Sequence, residues 1–248
     1  MIYVSHGDKG GVGKSMLSAV LIDYLLSQGR KVTLIEGDEG QPDVALRYTR
    51  LIDIKLVNLN RAGDAEAAIM SWMSAIKAVN VEDDIVVNLP AAAGDTLDSM
   101  ADMMIEAAVE CGHDMTIMYS VGAYATAADM LEKSLKNGMM ASVPLSRTCI
   151  VYPDFLGKQE MFTFYKTDAR LDYIHGGGHE VVMPSLSPTS LAEAVFKAKG
   201  SFSALADKET STLEFGQRIF FSKKWLPAAH KCIAPMIAAP VVTAQVVV

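Results

Sequence analysis

The chain has 248 residues, of which 50% are hydrophobic and 21% charged. That is ample material for a buried core, and it excludes a disordered or collagen-like chain. A net charge of −7 opposes nonspecific nucleic-acid binding over the surface as a whole. No run of about 20 apolar residues occurs, so no membrane-spanning helix is expected. Cys111, Cys149 and Cys232 lie far apart with no CxxC pair, which argues against a disulfide scaffold, a cysteine zinc site and an intrachain iron–sulfur site. The chain opens Met1-Ile2-Tyr3-Val4 without a basic region or an apolar leader, and reads as unprocessed and cytoplasmic. Residues 191–248 hold seven lysines and arginines against four acids. Any DNA or membrane contact is therefore expected from this C-terminal quarter, although a solvated helical surface is the simpler reading.

In chain order, residues 2–5 read as a short buried strand running into a glycine-rich loop. Residues 14–28 show helical apolar spacing through Leu17, Val20, Leu21, Tyr24 and Leu25, ended by Gly29 as a C-terminal glycine should end it. Residues 31–36 form a second apolar strand, completing a βαβ unit of the kind that builds parallel sheets. The alternation continues with a helix over 64–79, a strand over 84–88, a methionine-rich helix over 96–110, a strand over 116–119 and a helix over 124–136. Strands over 148–151 and 180–183 follow, then closing helices over 189–199 and 212–225. A strand apolar along its length, such as Ile85-Val86-Val87, suits a sheet covered on both faces. The expected architecture is one doubly wound α/β domain over 1–248, a mostly parallel sheet flanked by helices. Residues 190–248 supply its closing helices and an apolar tail.

The first loop reads Asp8-Lys9-Gly10-Gly11-Val12-Gly13-Lys14-Ser15 and leads into Met16. Its second half meets the phosphate-loop pattern in the required context, between a strand and a helix. Glycines let the backbone curl so that successive N–H groups converge on phosphate oxygens, and the helix N-terminus adds its positive dipole end. Lys14 would reach the β- and γ-phosphates, and Ser15 would ligate Mg²⁺ through its hydroxyl. The cofactor set expected of such a loop is a nucleoside triphosphate with Mg²⁺.

Asp8 stands where the pattern has its first glycine, and Lys9 follows it. This form resembles the deviant phosphate loop of the ParA/MinD family, over roughly the first 190 residues in order of motifs. The resemblance implies a P-loop fold of the SIMIBI type and a dimer with two ATP molecules sandwiched between subunits. Lys9 would then reach across the interface to the partner's nucleotide. The family places Asp-x-Asp at the end of the second strand. Here Asp38 matches the second aspartate, which orients the attacking water and faces the metal, while Glu36 replaces the first. Residues 39–43 would follow as a mobile switch segment. At the third site the chain reads Val87-Asn88-Leu89-Pro90, with Asn88 where the family's metal-supporting aspartate stands. An asparagine can bond a magnesium-bound water but brings no negative charge, so a slow or partner-stimulated ATPase is expected. For the base, the family's adenine-reading asparagine is missing from 149–154, while Val182-Met183-Pro184-Ser185 resembles the other base-contacting loop. The expected base-side contacts are Pro184 and Ser185, and ATP is inferred from the likeness.

Several features are weighed and set lower. His175-Gly176-Gly177-Gly178-His179 has metal-like histidine spacing, but three glycines suit a loop before a strand. The fifteen methionines read as core filling, with Met139 and Met140 as an alternative adaptable surface. The uncharged segment 233–248, broken by Pro235 and Pro240, suits packing or a partner better than a membrane surface, since it lacks a polar face. The output expected of the resemblance is the positioning of cargo, most readily plasmid DNA through a DNA-binding adaptor, as in the plasmid stability and conjugal-transfer branch (StbB- or TraL-like). A MinD-like membrane-associated positioning ATPase, a superfamily synthetase and a nucleotide-binding pseudo-ATPase marked by Asn88 are the alternatives.

Overall fold

A computed structural model describes residues 1–7, 10–59, 64–91 and 94–237. Among them, seven strands form one sheet: β1 (Ile2–His6), β2 (Val32–Glu36), β3 (Asp53–Leu56), β4 (Asp84–Asn88), β5 (Met115–Ser120), β6 (Thr148–Pro153) and β7 (His179–Met183). Their order is β3-β2-β4-β1-β5-β6-β7, with every pairing parallel. Successive side chains of a strand point to opposite faces, and the two apolar cores follow that alternation. Ile2, Val4, Ile85, Val87, Ile117 and Ile150 feed one core. Tyr3, Val86, Met118, Cys149 and Val151 feed the other. Helices α3 (Ala65–Lys77), α4 (Gly94–Ser99), α5 (Ala101–Glu110), α6 (Ala125–Asn137) and α7 (Asp168–His175) cover the first face. The second is covered by α1 (Lys14–Ser27), α2 (Asp43–Tyr48), α8 (Thr189–Lys197), α9 (Phe202–Ala206) and α11 (Leu226–Ile233). A doubly wound parallel sheet is what the βαβ reading anticipates.

Four elements differ from the sequence reading. Strand β3 is absent from that reading because it is a partly exposed edge strand, Asp-Ile-Lys-Leu, too polar to register as an apolar run. The helix expected over 96–110 is broken at Met100. The α4 side is drawn inward by Asp98, which accepts from the Ser134 hydroxyl at 3.0 Å and the Met139 amide at 2.9 Å. The helix expected over 212–225 starts at Phe215, in α10 (Phe215–Phe220), behind a reciprocal Glu214–Gln217 cap. It then widens into a π-type turn over Phe221–Trp225 and continues into α11. Pro227 in the first turn of α11 has no N–H to donate, and the widened turn accommodates it. That turn also buries Phe221 and Trp225, whose rings stack 5.2 Å apart. The fourth difference is α2, which begins at the end of the segment read as a switch.

Met139 and Met140 are fully buried, so the adaptable-surface alternative for them is corrected to core filling. His175 ends α7 and His179 opens β7, with Gly178 closed against the Tyr173 ring. Ile233 and Met236 pack into the second core, while the rest of the expected tail, 238–248, lies outside the described residues. The lysines of the C-terminal quarter at 197, 199, 208, 223, 224 and 231 are all exposed. Among the described residues, no helix is long and apolar enough to cross a membrane.

Helix α1 is buried on nearly every side, and one polar residue within it ties it to the C-terminal helices. Asp23 is fully buried and accepts from the Ser203 amide at 2.8 Å, the Ser203 hydroxyl at 3.0 Å and His230 Nε2 at 2.9 Å. Removing one partner of a buried polar cluster leaves the others desolvated and unmatched. Asp23→Ala is therefore expected to destabilise the protein by about 2 kcal/mol in urea unfolding. An unchanged midpoint would show that the cluster adds nothing.

Candidate functional site

Strand β1 ends at His6 and α1 begins at Lys14. Gly7 has φ of +148°, and a Cβ there would lie 2.6 Å from the Ser120 carbonyl oxygen; only glycine fits this close approach to β5. Gly13, at φ +91°, precedes α1 directly. Two serines hold the loop from beneath. Ser5 Oγ donates to the Lys14 carbonyl at 2.9 Å, and Ser120 Oγ donates to the Val12 carbonyl at 2.5 Å. Lys14 is buried, while Gly10, Gly11 and Ser15 are exposed at the mouth.

A cleft of about 540 Å³ opens over this loop. It lies beyond the carboxyl ends of the strands, where open α/β sheets place their ligands. Its walls bring together Gly10, Gly11, Val12, Gly13, Lys14, Ser15 and Met16 with Asp38, Asn88, Pro184 and Ser185, each expected at this site from the sequence. Lys9 and Asp8 lie outside the described residues. Asp38 is half-buried, and its Oδ1 accepts from the Gln41 amide at 3.0 Å, which ties it to the turn before α2.

Beneath the cleft floor lies a buried polar row. Strand register places Ser5 opposite Asn88 and Asn88 opposite Glu36. Asn88 Oδ1 accepts from Ser18 Oγ at 3.0 Å, and Asn88 Nδ2 donates to Glu36 Oε1 at 2.7 Å. Glu36 also accepts from the amides of Asp38 and Ala45, each at 3.3 Å. Gly37 allows the two strand ends to close: its amide donates to the Asn88 carbonyl at 2.9 Å, and a Cβ would lie 2.9 Å from that same oxygen. Burial pushes the Glu36 carboxyl up to about 7, against the opposing pull of its N–H donors and with a further push from the Asp38 charge. Serines 5, 18 and 120 and the Glu36–Asn88 contact are absent from the sequence reading. Only Ser18, one helical turn beyond Ser15, carried a signal that could have found it.

The far wall of the cleft is apolar. Pro153, Phe155, Met183, Pro184 and Trp225 face it, and the Trp225 indole N–H donates to the Pro184 carbonyl at 3.0 Å. Phe155 packs over Gly13, where a Cβ would come 3.3 Å from its ring. Such a wall suits the flat face of an aromatic base, beside a loop whose amides and lysine suit phosphate.

The family model for the CobQ/CobB/MinD/ParA nucleotide binding domain matches residues 4–208. The chain belongs to this family. Protein MobD of Acidithiobacillus ferrooxidans is 25% identical over 239 residues, covering 95% of this chain and 97% of the relative. The fold is also that of MinD. The MinC:MinD cell division complex of Aquifex aeolicus matches at a TM-score of 0.53, with 15% identity over 96% of this chain and 97% of that one. The septum site-determining protein MinD of Pyrococcus horikoshii, complexed with Mg-ADP, matches at 0.50, with 16% identity over 89% and 93%.

Proposed function

We propose that this protein is a nucleotide-switched ATPase that dimerises around two ATP–Mg²⁺ and positions cargo. One observation carries the reading: a single cleft unites the phosphate loop, Asp38 and Asn88 at the carboxyl edge of a family-typical sheet. The loop amides and Lys14 hold the phosphates, and Ser15 coordinates the metal. Asp38 orients the attacking water, and its bond to the Gln41 amide couples that role to α2. Lys9 reaches the partner's nucleotide. The exposed Ser15 hydroxyl and the carboxylate of Asp38 are oxygen donors of the kind Mg²⁺ takes, so the residues present fit the ion, which would neutralise charge on the β- and γ-phosphates. Asn88 in place of a carboxylate makes turnover slow, with a partner to stimulate it. The Mg-ADP of the Pyrococcus MinD and the protein partner of the Aquifex MinD agree with this reading. The cargo is plasmid DNA, held through a DNA-binding adaptor, with the exposed lysines of 197–231 available for direct contact.

The test is mass by light scattering without nucleotide, with ADP and with ATP–Mg²⁺. ATP alone is expected to convert monomer to dimer, Asp38→Ala to trap that dimer and Lys9→Ala to prevent it. A mass indifferent to nucleotide in all three proteins would rule the switch out.

A further inference from the structure

Asn88 lines the cleft without a charge, yet a carboxylate lies directly behind it. Glu36 ends the neighbouring strand in exact register with Asn88, is fully buried, and is not itself part of the cleft wall. Its three described hydrogen-bond partners, Asn88 Nδ2 and the amides of Asp38 and Ala45, are all neutral N–H groups. A buried carboxylate held only by neutral donors has no cation in that shell to offset its negative charge, and it carries that charge at low cost only when a cation is bound beyond the shell.

We propose that Glu36 supplies the metal site with the negative charge that position 88 lacks, acting through the Asn88 carboxamide. The inference rests on the ATP–Mg²⁺ reading above and adds a residue to it. Asn88 Nδ2 donates to Glu36 Oε1, which polarises the amide and makes Asn88 Oδ1 a stronger acceptor. One lone pair of that oxygen takes the Ser18 hydroxyl, and the second remains for the cleft. Ser18 fixes the amide plane from α1, so the arrangement is held by two strands and the phosphate-loop helix together. In P-loop ATPases a carboxylate at the strand end holds Mg²⁺. In this protein position 88 carries no charge, and its amide bridges to the carboxylate that ends the neighbouring strand. Glu36 is thus a positioning residue of the kind that tunes a metal site from behind its ligands.

The experiment is equilibrium binding of a fluorescent ATP analogue, titrated with Mg²⁺, for wild type, Glu36→Gln, Asn88→Asp and the double variant. Unfolding midpoints without nucleotide confirm that each is folded. Glu36→Gln keeps the size and removes the charge, giving up the bond from the Ala45 amide while its oxygen still accepts from Asn88. It is expected to leave metal-free nucleotide affinity unchanged and to raise the Mg²⁺ midpoint by about tenfold. The double variant returns the charge to position 88 and is expected to bring the midpoint back toward wild type. Asn88→Asp alone sets two carboxylates against each other and is expected to fold less stably. A Mg²⁺ midpoint unmoved by Glu36→Gln, or unrescued in the double variant, overturns the inference while leaving nucleotide binding intact. A wild type that binds no ATP analogue overturns both readings.

Discussion

Lys14→Ala is expected to weaken ATP binding between roughly 30- and 4000-fold. The side chain is buried within the loop and is the only lysine among the described cleft-lining residues. Losing one partner of a buried, charge-assisted contact costs about 2–5 kcal/mol, and each 1.4 kcal/mol is about tenfold in affinity. The variant should leave the loop in place, because Ser5 and Ser120 hold main-chain carbonyls that the substitution does not alter. Calorimetric titration with ATP tests the affinity. A thermal shift supplies a second readout: saturating wild type with ligand at about 100 times its dissociation constant adds about 2.7 kcal/mol of stability, which Lys14→Ala should not gain. Wild-type affinity in the variant would mean that the phosphates do not lie on this loop.

The second large effect is on stability against pH in the nucleotide-free protein. The Glu36 carboxyl is raised from 4.5 to about 7, chiefly by burial. Between those two values the folded state holds a proton that the unfolded state has released. Stability therefore falls as pH rises through this window and levels off above it. The displacement is worth about 3 kcal/mol. Glu36→Gln has no proton to lose, so this share of the pH dependence disappears. Urea unfolding at pH 5 and pH 8 is expected to show a wild-type loss larger than that of Glu36→Gln by about 2.5 kcal/mol, since part of the displacement already lies below pH 5. Equal losses in the two proteins would mean that Glu36 does not titrate in this window. Other buried groups, such as His113, whose burial lowers its pKa, cancel in the comparison.

The phosphate loop was legible because its chemistry is local. Residues 10–15 are consecutive, and the backbone curl they need is written in the glycines themselves. The strands at 2–6, 32–36 and 84–88 were legible because a sheet covered on both faces requires continuous apolar runs. The start of α1 at Lys14 and the Gly29 turn that ends it were likewise set by neighbouring residues. The edge strand β3 escaped because nothing apolar marks a half-exposed strand. The break at Met100 escaped because its cause, the hold of Ser134 and Met139 on Asp98, lies more than thirty residues away.

The same division runs through the site. Asp38 and Asn88 could be picked out singly from their strand ends, but the sequence by itself determined only their identities. Glu36, Asn88 and Ser18 become one hydrogen-bonded unit solely because β2 and β4 pair in a particular register and α1 packs across them. Trp225 reaches the Pro184 carbonyl only because the C-terminal helices fold back over the second core. Local pattern carries backbone conformation, since that depends on adjacent residues. The charge, partners and burial of a side chain depend on what the folded chain sets beside it, and that was decided by the tertiary structure.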